Sequence, residues 1–188
     1  MTAQINRTLQ KKTSDIRDTK INRNDFKLLE RNDVYVFLDN IHNGFNLGAI
    51  LRLCDVVLAK KLFIVDGKNA VARKALKASK GAENWVPHEI IDQPIEVIQK
   101  LKSEGVQIVS VEICHHSVDY RTIEFGKHPM CFVFGNEMTG VSEEILKISD
   151  HCIHLPVYGM SNSLNVSSCA SVILFEAIRH VGLDQLKK

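Results

Sequence analysis

The segment Met130-Cys131-Phe132-Val133-Phe134-Gly135-Asn136-Glu137-Met138-Thr139-Gly140-Val141-Ser142 decides how this chain folds. Its first five residues are all apolar and stop at Gly135, which reads as a strand buried on both faces, the pattern of a parallel sheet. Ser142 then predicts a helix N-cap, with Glu143 and Glu144 in the first turn, where the helix dipole favours acids. The same alternation of strand and helix extends in both directions. Upstream, residues 34–38 predict a first strand, and Asn46 stands as the cap of a helix with the apolar stripe Leu47, Ile50, Leu51, Cys54 and Leu58. Further strands are expected at 62–65, at 85–91 despite Pro87, and at 106–113, with a basic helix over 70–79 and another helix over 95–102 between them. Downstream, a sixth strand spans 152–155 and a long apolar helix runs from 164 to about 181. Strands alternating with helices predict an α/β fold, a mostly parallel sheet with helices on both faces.

A chain of 188 residues is long enough for one well-buried core and short for two. Its 45% hydrophobic and 24% charged content is that of a globular protein, which excludes fibrous architecture and disorder of the whole chain. No apolar run reaches membrane-spanning length, and Met1-Thr2-Ala3-Gln4 leads into charges rather than an apolar signal core, so a cytoplasmic protein is expected. The five cysteines, Cys54, Cys114, Cys131, Cys152 and Cys169, are scattered and never form Cys-x-x-Cys, which reads as buried reduced thiols. His151-Cys152-Ile153-His154 and His115-His116 contain metal-ligating residue types, but neither matches a zinc spacing, so no metal site is expected.

The net charge of +2 conceals a segregation. Residues 1–31 hold eight basic side chains, Lys11 and Lys12 among them, against four acidic ones, and residues 60–80 hold seven against Asp66 alone. On a helix over 70–79, Arg73, Lys77 and Lys80 fall at i, i+4 and i+7 on one face, with Lys74 beside them. Such a field suits a polyanion, although a solvated helix face is the plain alternative. The chain divides on this reading into a basic N-terminal arm over 1–32 and a single domain over 33–188.

In open parallel sheets, ligands sit at the carboxyl ends of the strands. Three polar or glycine-rich segments fall there: 40–48, 135–140 and 156–165. No Gly-x-Gly-x-x-Gly, no Gly-x-x-x-x-Gly-Lys-Ser/Thr and no Gly-x-Ser-x-Gly is present, which argues against dinucleotide oxidoreductases, NTPases and serine hydrolases. What remains is amides, hydroxyls, glycines, one arginine (Arg52) and one glutamate (Glu137).

Asn43-Gly44-Phe45-Asn46-Leu47-Gly48-Ala49-Ile50-Leu51-Arg52, residues 132–142, and Leu155-Pro156 through Ser163-Leu164-Asn165-Val166-Ser167 together resemble the SpoU/TrmH branch of the SPOUT RNA methyltransferases in order and spacing, most of all the tRNA guanosine-2′-O-methylating TrmH type. The resemblance implies that the C-terminal part of the α/β sheet domain is threaded into a deep trefoil knot. It implies S-adenosylmethionine held by the loops carrying Phe134, Gly135, Asn136, Gly140, Ile153, Leu155, Ser163, Leu164 and Val166, and a homodimer using the apolar face of the last helix. It makes Arg52 the central catalytic residue, with Asn46, Glu137, Ser163 and Asn165 around it.

The implied reaction moves a methyl group from a sulfonium to a ribose 2′-hydroxyl, an in-line displacement in which the oxygen gains negative character. A guanidinium holds its proton too tightly to be a good base, so Arg52 is read as the cation that orients phosphate and stabilises the incipient alkoxide. The implied partner is RNA, tRNA before ribosomal RNA, contacted by Lys11, Lys12, Arg73, Lys74, Lys77 and Lys80. On this reading the C-terminal tail that helps the TrmH type grip tRNA is expected to be missing. Two other classes stay open: a non-catalytic RNA-binding relative, and an α/β enzyme acting on a small molecule.

Overall fold

In the computed structural model, residues 23–26, 28–65 and 79–179 are described. The chain separates into two compact units, Met1–Glu30 and Arg31–Lys188. Of the first, the described residues are a single helical turn, α1 (Arg23–Phe26), and the turn at 28–30.

The second unit is built on seven strands: β1 (Asn32–Asp39), β2 (Ala59–Val65), β3 (His88–Ile91), β4 (Gln107–Val111), β5 (Val118–Asp119), β6 (Met130–Gly135) and β7 (His151–His154). They form one sheet in the order β3-β2-β1-β6-β4-β7-β5, with every pairing parallel. Period-two alternation divides the core. Val36, Leu38, Phe132 and Phe134 face one side, while Phe37, Cys131 and Val133 face the other. The first face is covered by α2 (Gly44–Val56) and α5 (Val166–Ile178), which pack on each other. The second is covered by α3 (Pro94–Ser103) and α4 (Glu143–Ile148), which contribute Ile98, Leu101 and Ile145. Phe37, Phe132 and Phe134 are essentially inaccessible, and burying each stabilises the fold by about 1.5–3 kcal/mol.

Several boundaries differ from the sequence reading. α2 starts earlier than expected: Asn43 is its cap, accepting from Phe45 N at 2.9 Å, and Asn46 lies buried inside the helix. Leu58 is not on its stripe, because the chain turns back through a left-handed Leu58 (φ 49°) to enter β2. Pro87 delays β3 to His88; its carbonyl still accepts from Leu62 N at 2.9 Å, but a proline has no N–H to return. The two-residue β5 has too little pattern to be recognised in the sequence. Ser142 occupies the α4 cap position without a side-chain cap bond. α5 begins at Val166, because Asn165 turns its side chain onto Ser167 N and Ser168 N as the cap, and Leu164 stays outside the helix. Of the expected basic helix, Arg73, Lys74 and Lys77 lie outside the described residues, as do Lys11 and Lys12; Ser79 is helical and Lys80 follows it exposed and left-handed (φ 52°).

Candidate active site

Where β1, β4, β6 and β7 end, the chain after β6 makes a tight loop. Asn136 and Gly140 pair through both backbone bonds, at 2.9 and 3.1 Å. The Asn136 side chain closes the loop from inside, accepting from Met138 N at 2.8 Å and Thr139 N at 3.2 Å, and it donates to the Asn40 carbonyl at 2.7 Å. Glycine is required at both ends of this loop. A Cβ on Gly135 would lie 2.1 Å from Val141 N, and Gly140 combines φ +70° with a carboxylate oxygen of Glu112 at 2.4 Å from any Cβ. Two carboxylates hold the loop's exit: Glu112 accepts from Val141 N at 3.0 Å, and the buried Asp39 accepts from Ser142 N at 2.7 Å. The backbone after β6 is thereby tied to β1 and β4.

Three side chains from three segments meet beside this loop. Asn46, buried in α2, donates through Nδ2 to Glu137 Oε1 at 2.7 Å and accepts through Oδ1 from Asn165 Nδ2 at 3.2 Å. Asn165 is fixed in turn by capping α5, where its Oδ1 accepts from Ser167 N at 2.9 Å and Ser167 Oγ at 2.7 Å. The result is a directional chain, amide to amide to carboxylate, spanning 119 residues of sequence between Asn46 and Asn165. Asn46 is buried with both its amide nitrogen and its oxygen engaged, so the orientation of Glu137 is set from the core.

The loop roofs a cavity of about 470 Å³ whose walls are the ends of β4, β6 and β7 together with residues 163–166. That volume is within the range of small-molecule sites. Phe134, Gly135, Asn136, Glu137, Gly140, Leu155, Ser163, Leu164, Asn165 and Val166 all line it. Ile153 does not. It is wholly buried in β7, two residues before Leu155, and its carbonyl accepts from Glu112 N at 2.9 Å. Cys169 also lines the cavity, and burial together with the Glu112 carboxylate pushes its thiol up to about 11, so it is neutral there at ordinary pH.

Residues 33–175 match the SpoU rRNA Methylase family. The chain belongs to that family. It is 40% identical over 149 residues to the tRNA (guanosine(18)-2′-O)-methyltransferase of Aquifex aeolicus, an alignment covering 78% of this chain and 69% of the relative. Its fold matches the solved A. aeolicus TrmH/SpoU tRNA modifying enzyme with a TM-score of 0.75 and 37% identity, over 82% of this chain and 78% of that one. It also matches an AdoMet-bound rRNA methyltransferase from Sinorhizobium meliloti with a TM-score of 0.74 and 28% identity, over 84% and 60% of the two chains.

Within this SpoU-family site the sequence reading left out two residues, Asp39 and Glu112. Asp39 falls just past the expected strand 34–38 and Glu112 inside the expected strand 106–113; the available signal is an acid at the carboxyl end of an otherwise apolar strand. Arg52 is not drawn into the cavity. It is exposed on α2, its side chain lacks an ion pair or hydrogen bond among the described residues, and it shares a face with Phe45 and Val56 at helical spacing. Of the basic segment 60–80, Lys60 pairs with Asp33 and Lys61 with Glu89, at 2.6 Å for the latter, so two of its charges are locally neutralised. No described helix is long and apolar enough to cross a membrane.

Proposed function

We propose that this SpoU-family chain transfers a methyl group from S-adenosylmethionine to a ribose 2′-hydroxyl of tRNA, at a guanosine in the D-loop. The observation that carries the reading is the Asn165–Asn46–Glu137 hydrogen-bond chain at the rim of a cavity lined by the loop after β6. The cavity fits the cofactor in size and in character: Leu155, Leu164 and Val166 offer apolar wall to a flat base, and the tightly wound 135–140 backbone offers peptide groups along the loop. When bound, S-adenosylmethionine supplies an electrophilic methyl on a sulfonium. Phe134 to Gly140, Leu155, and Ser163 to Val166 hold it. Glu137 and Asn165 orient the acceptor, with Asn46 positioning both, and Ser163 adds a hydroxyl to the cavity wall. Arg52 stabilises negative charge as the acceptor oxygen loses its proton. The names of the A. aeolicus relatives support tRNA, and the S. meliloti structure with bound AdoMet supports the cofactor.

The basic arm over 1–32, with Lys11 and Lys12, and the segment carrying Arg73, Lys74, Lys77 and Lys80 contact the RNA backbone. The domain works as a homodimer. Phe45 and Val56 on α2, 67% and 60% exposed, and Val172 and Phe175 on α5 form apolar stripes on two helices that pack against each other, which supports a second copy as their cover. In such a dimer Arg52, on the same stripe, serves the partner's cavity. The return of the chain from β7, on the far side of β4, to α5 over β1 and β6 is the path a trefoil threading requires.

The test is transfer of labelled methyl from S-adenosylmethionine to separate pools of unmodified tRNA and ribosomal RNA, followed by nuclease digestion. A 2′-O-methylguanosine from tRNA is expected. Label appearing in ribosomal RNA alone would replace the substrate, and cofactor binding without transfer to either pool would replace the activity. For the shared site, mixing inactive Arg52→Ala with inactive Asn165→Ala protein recovers about a quarter of wild-type rate if one protomer's arginine serves the other's cavity, and none if each site is self-contained.

A further inference from the structure

Behind the cavity wall, three ligand-type side chains from distant parts of the chain converge. Cys114 follows β4, His116 lies two residues on, and Cys152 sits in β7. Their ligand atoms all lie within 4.8 Å of one another. The two sulfurs are 3.0 Å apart, and Cys114 Sγ is 3.7 Å from His116 Nδ1. In the sequence these residues are split between two segments 38 residues apart, neither with a zinc spacing. The parallel pairing of β4 with β7, Val111 beside Ile153, is what brings them together.

The geometry points to a soft divalent metal site of the zinc class, with Cys114, His116 and Cys152 as three ligands and the fourth position open to solvent or a small ligand. In a tetrahedral site with Zn–S of about 2.3 Å and Zn–N of about 2.05 Å, a sulfur–nitrogen edge is ~3.6 Å and a sulfur–sulfur edge ~3.8 Å. The Cys114–His116 separation already has the first value, and the sulfurs need to part by less than an ångström for the second. Thiolate and imidazole are the donors such an ion prefers, and the absence of a carboxylate from the cluster excludes a calcium- or magnesium-type site. On binding, each thiol forms a sulfur–metal bond and gives up its proton to solvent, while the imidazole binds neutral through its lone pair.

The ligand-bearing turn is built before any metal arrives. Ser117 N donates to the Cys114 carbonyl at 3.0 Å, Ser117 Oγ donates to the same carbonyl at 2.8 Å, and Cys114 N donates to Ser117 Oγ at 3.1 Å. His154 Nδ1 lies 3.0 Å from that hydroxyl and ties the turn to β7 a second time. Burial grades across the site: Cys152 is buried, Cys114 half-buried and His116 exposed, so an ion enters from the His116 side. Glu112 and Ile113, just before the turn, and His154, just after Cys152, line the cavity, so an ion here would clamp two of its walls.

The experiment uses the full chain, purified reduced, with cobalt(II) as a spectroscopic stand-in and zinc as competitor. One equivalent should bind, with thiolate charge-transfer and tetrahedral d–d absorption that zinc abolishes. Cys114→Ser and His116→Ala, both at accessible positions, should each weaken binding at least about tenfold while leaving the circular dichroism of the fold unchanged. Three results would overturn the assignment: no thiolate band, a band that survives both substitutions, or loss of two of the five thiols to an intrachain disulfide under peroxide in a protein that takes up no metal. These readouts are independent of methyl transfer, so failure of the metal site leaves the proposed activity standing.

Discussion

Asn46→Asp tests the hydrogen-bond chain without changing its shape. The substitution keeps the oxygen that accepts from Asn165 and replaces the amide nitrogen, 2.7 Å from Glu137 Oε1, by a second carboxylate oxygen. Two unit charges at that distance repel by about 6 kcal/mol at an effective dielectric of about 20. Glu137 is exposed, so solvent screening cuts the realised cost near neutral pH to about 2 kcal/mol, and at lower pH the pair relieves itself by holding one proton. The sign follows from that proton. The folded variant binds it more tightly than the unfolded chain does, so the variant's stability is intact below the ordinary carboxylate range and is lost as pH rises through the raised value. Urea unfolding of both proteins at about pH 3 and about pH 8 should therefore show a deficit that is small at the lower pH and full at the higher. The double variant Asn46→Asp/Glu137→Gln restores one donor and one acceptor and should recover most of the loss. A deficit equal at both pH values, or no recovery in the double variant, would mean that the Asn46 amide does not face the carboxylate, and the directional chain would have to be abandoned.

Gly135→Ala should cost about 3 kcal/mol of stability or open the 135–141 loop, because its Cβ would stand 2.1 Å from backbone rather than from a side chain that moves aside; S-adenosylmethionine affinity measured by calorimetry should fall at least about tenfold, and wild-type affinity would refute the loop as part of that site. Arg52→Ala should abolish methyl transfer with cofactor affinity within a few-fold of wild type, and Arg52→Lys, which keeps the charge and loses the two-pronged fork, should retain only a small fraction of turnover; near-normal turnover of the lysine variant would dismiss fork geometry. Burial holds the Cys54 thiol up to about 12 and the Cys169 thiol up to about 11, against about 8.5 for a thiol in an unfolded chain. Their contribution to stability is therefore complete below about pH 8.5 and lost as pH rises toward the folded values, so the urea midpoint should decline above about pH 9, and less steeply in Cys169→Ala.

How much of this was legible in the sequence depends on whether a feature is local. The strand 130–134 announced itself because a strand buried on both faces must be apolar at every position, and the parallel α/β class followed from repeating that unit. Asn165 was named only through the motif shared with the SpoU/TrmH branch: periodicity alone starts the last helix at 164, one residue before the asparagine that caps it. Asn46 shows the limit. Local logic made it a helix cap, and only the fold reveals that Asn43 caps the helix while Asn46 turns inward to a glutamate 91 residues away. The same holds for Glu112, whose partner is a backbone N–H in the loop after β6, and for Cys114 and Cys152, joined by neighbouring strands β4 and β7. A linear scan for metal spacing tests only ligands that share a turn or hairpin; a site assembled across parallel strands has no characteristic spacing, since the crossover between them is of arbitrary length. In a parallel sheet, then, an unpaired polar residue within about two positions of a strand's carboxyl end is the sequence signal that should be paired with others of its kind, whatever their separation along the chain.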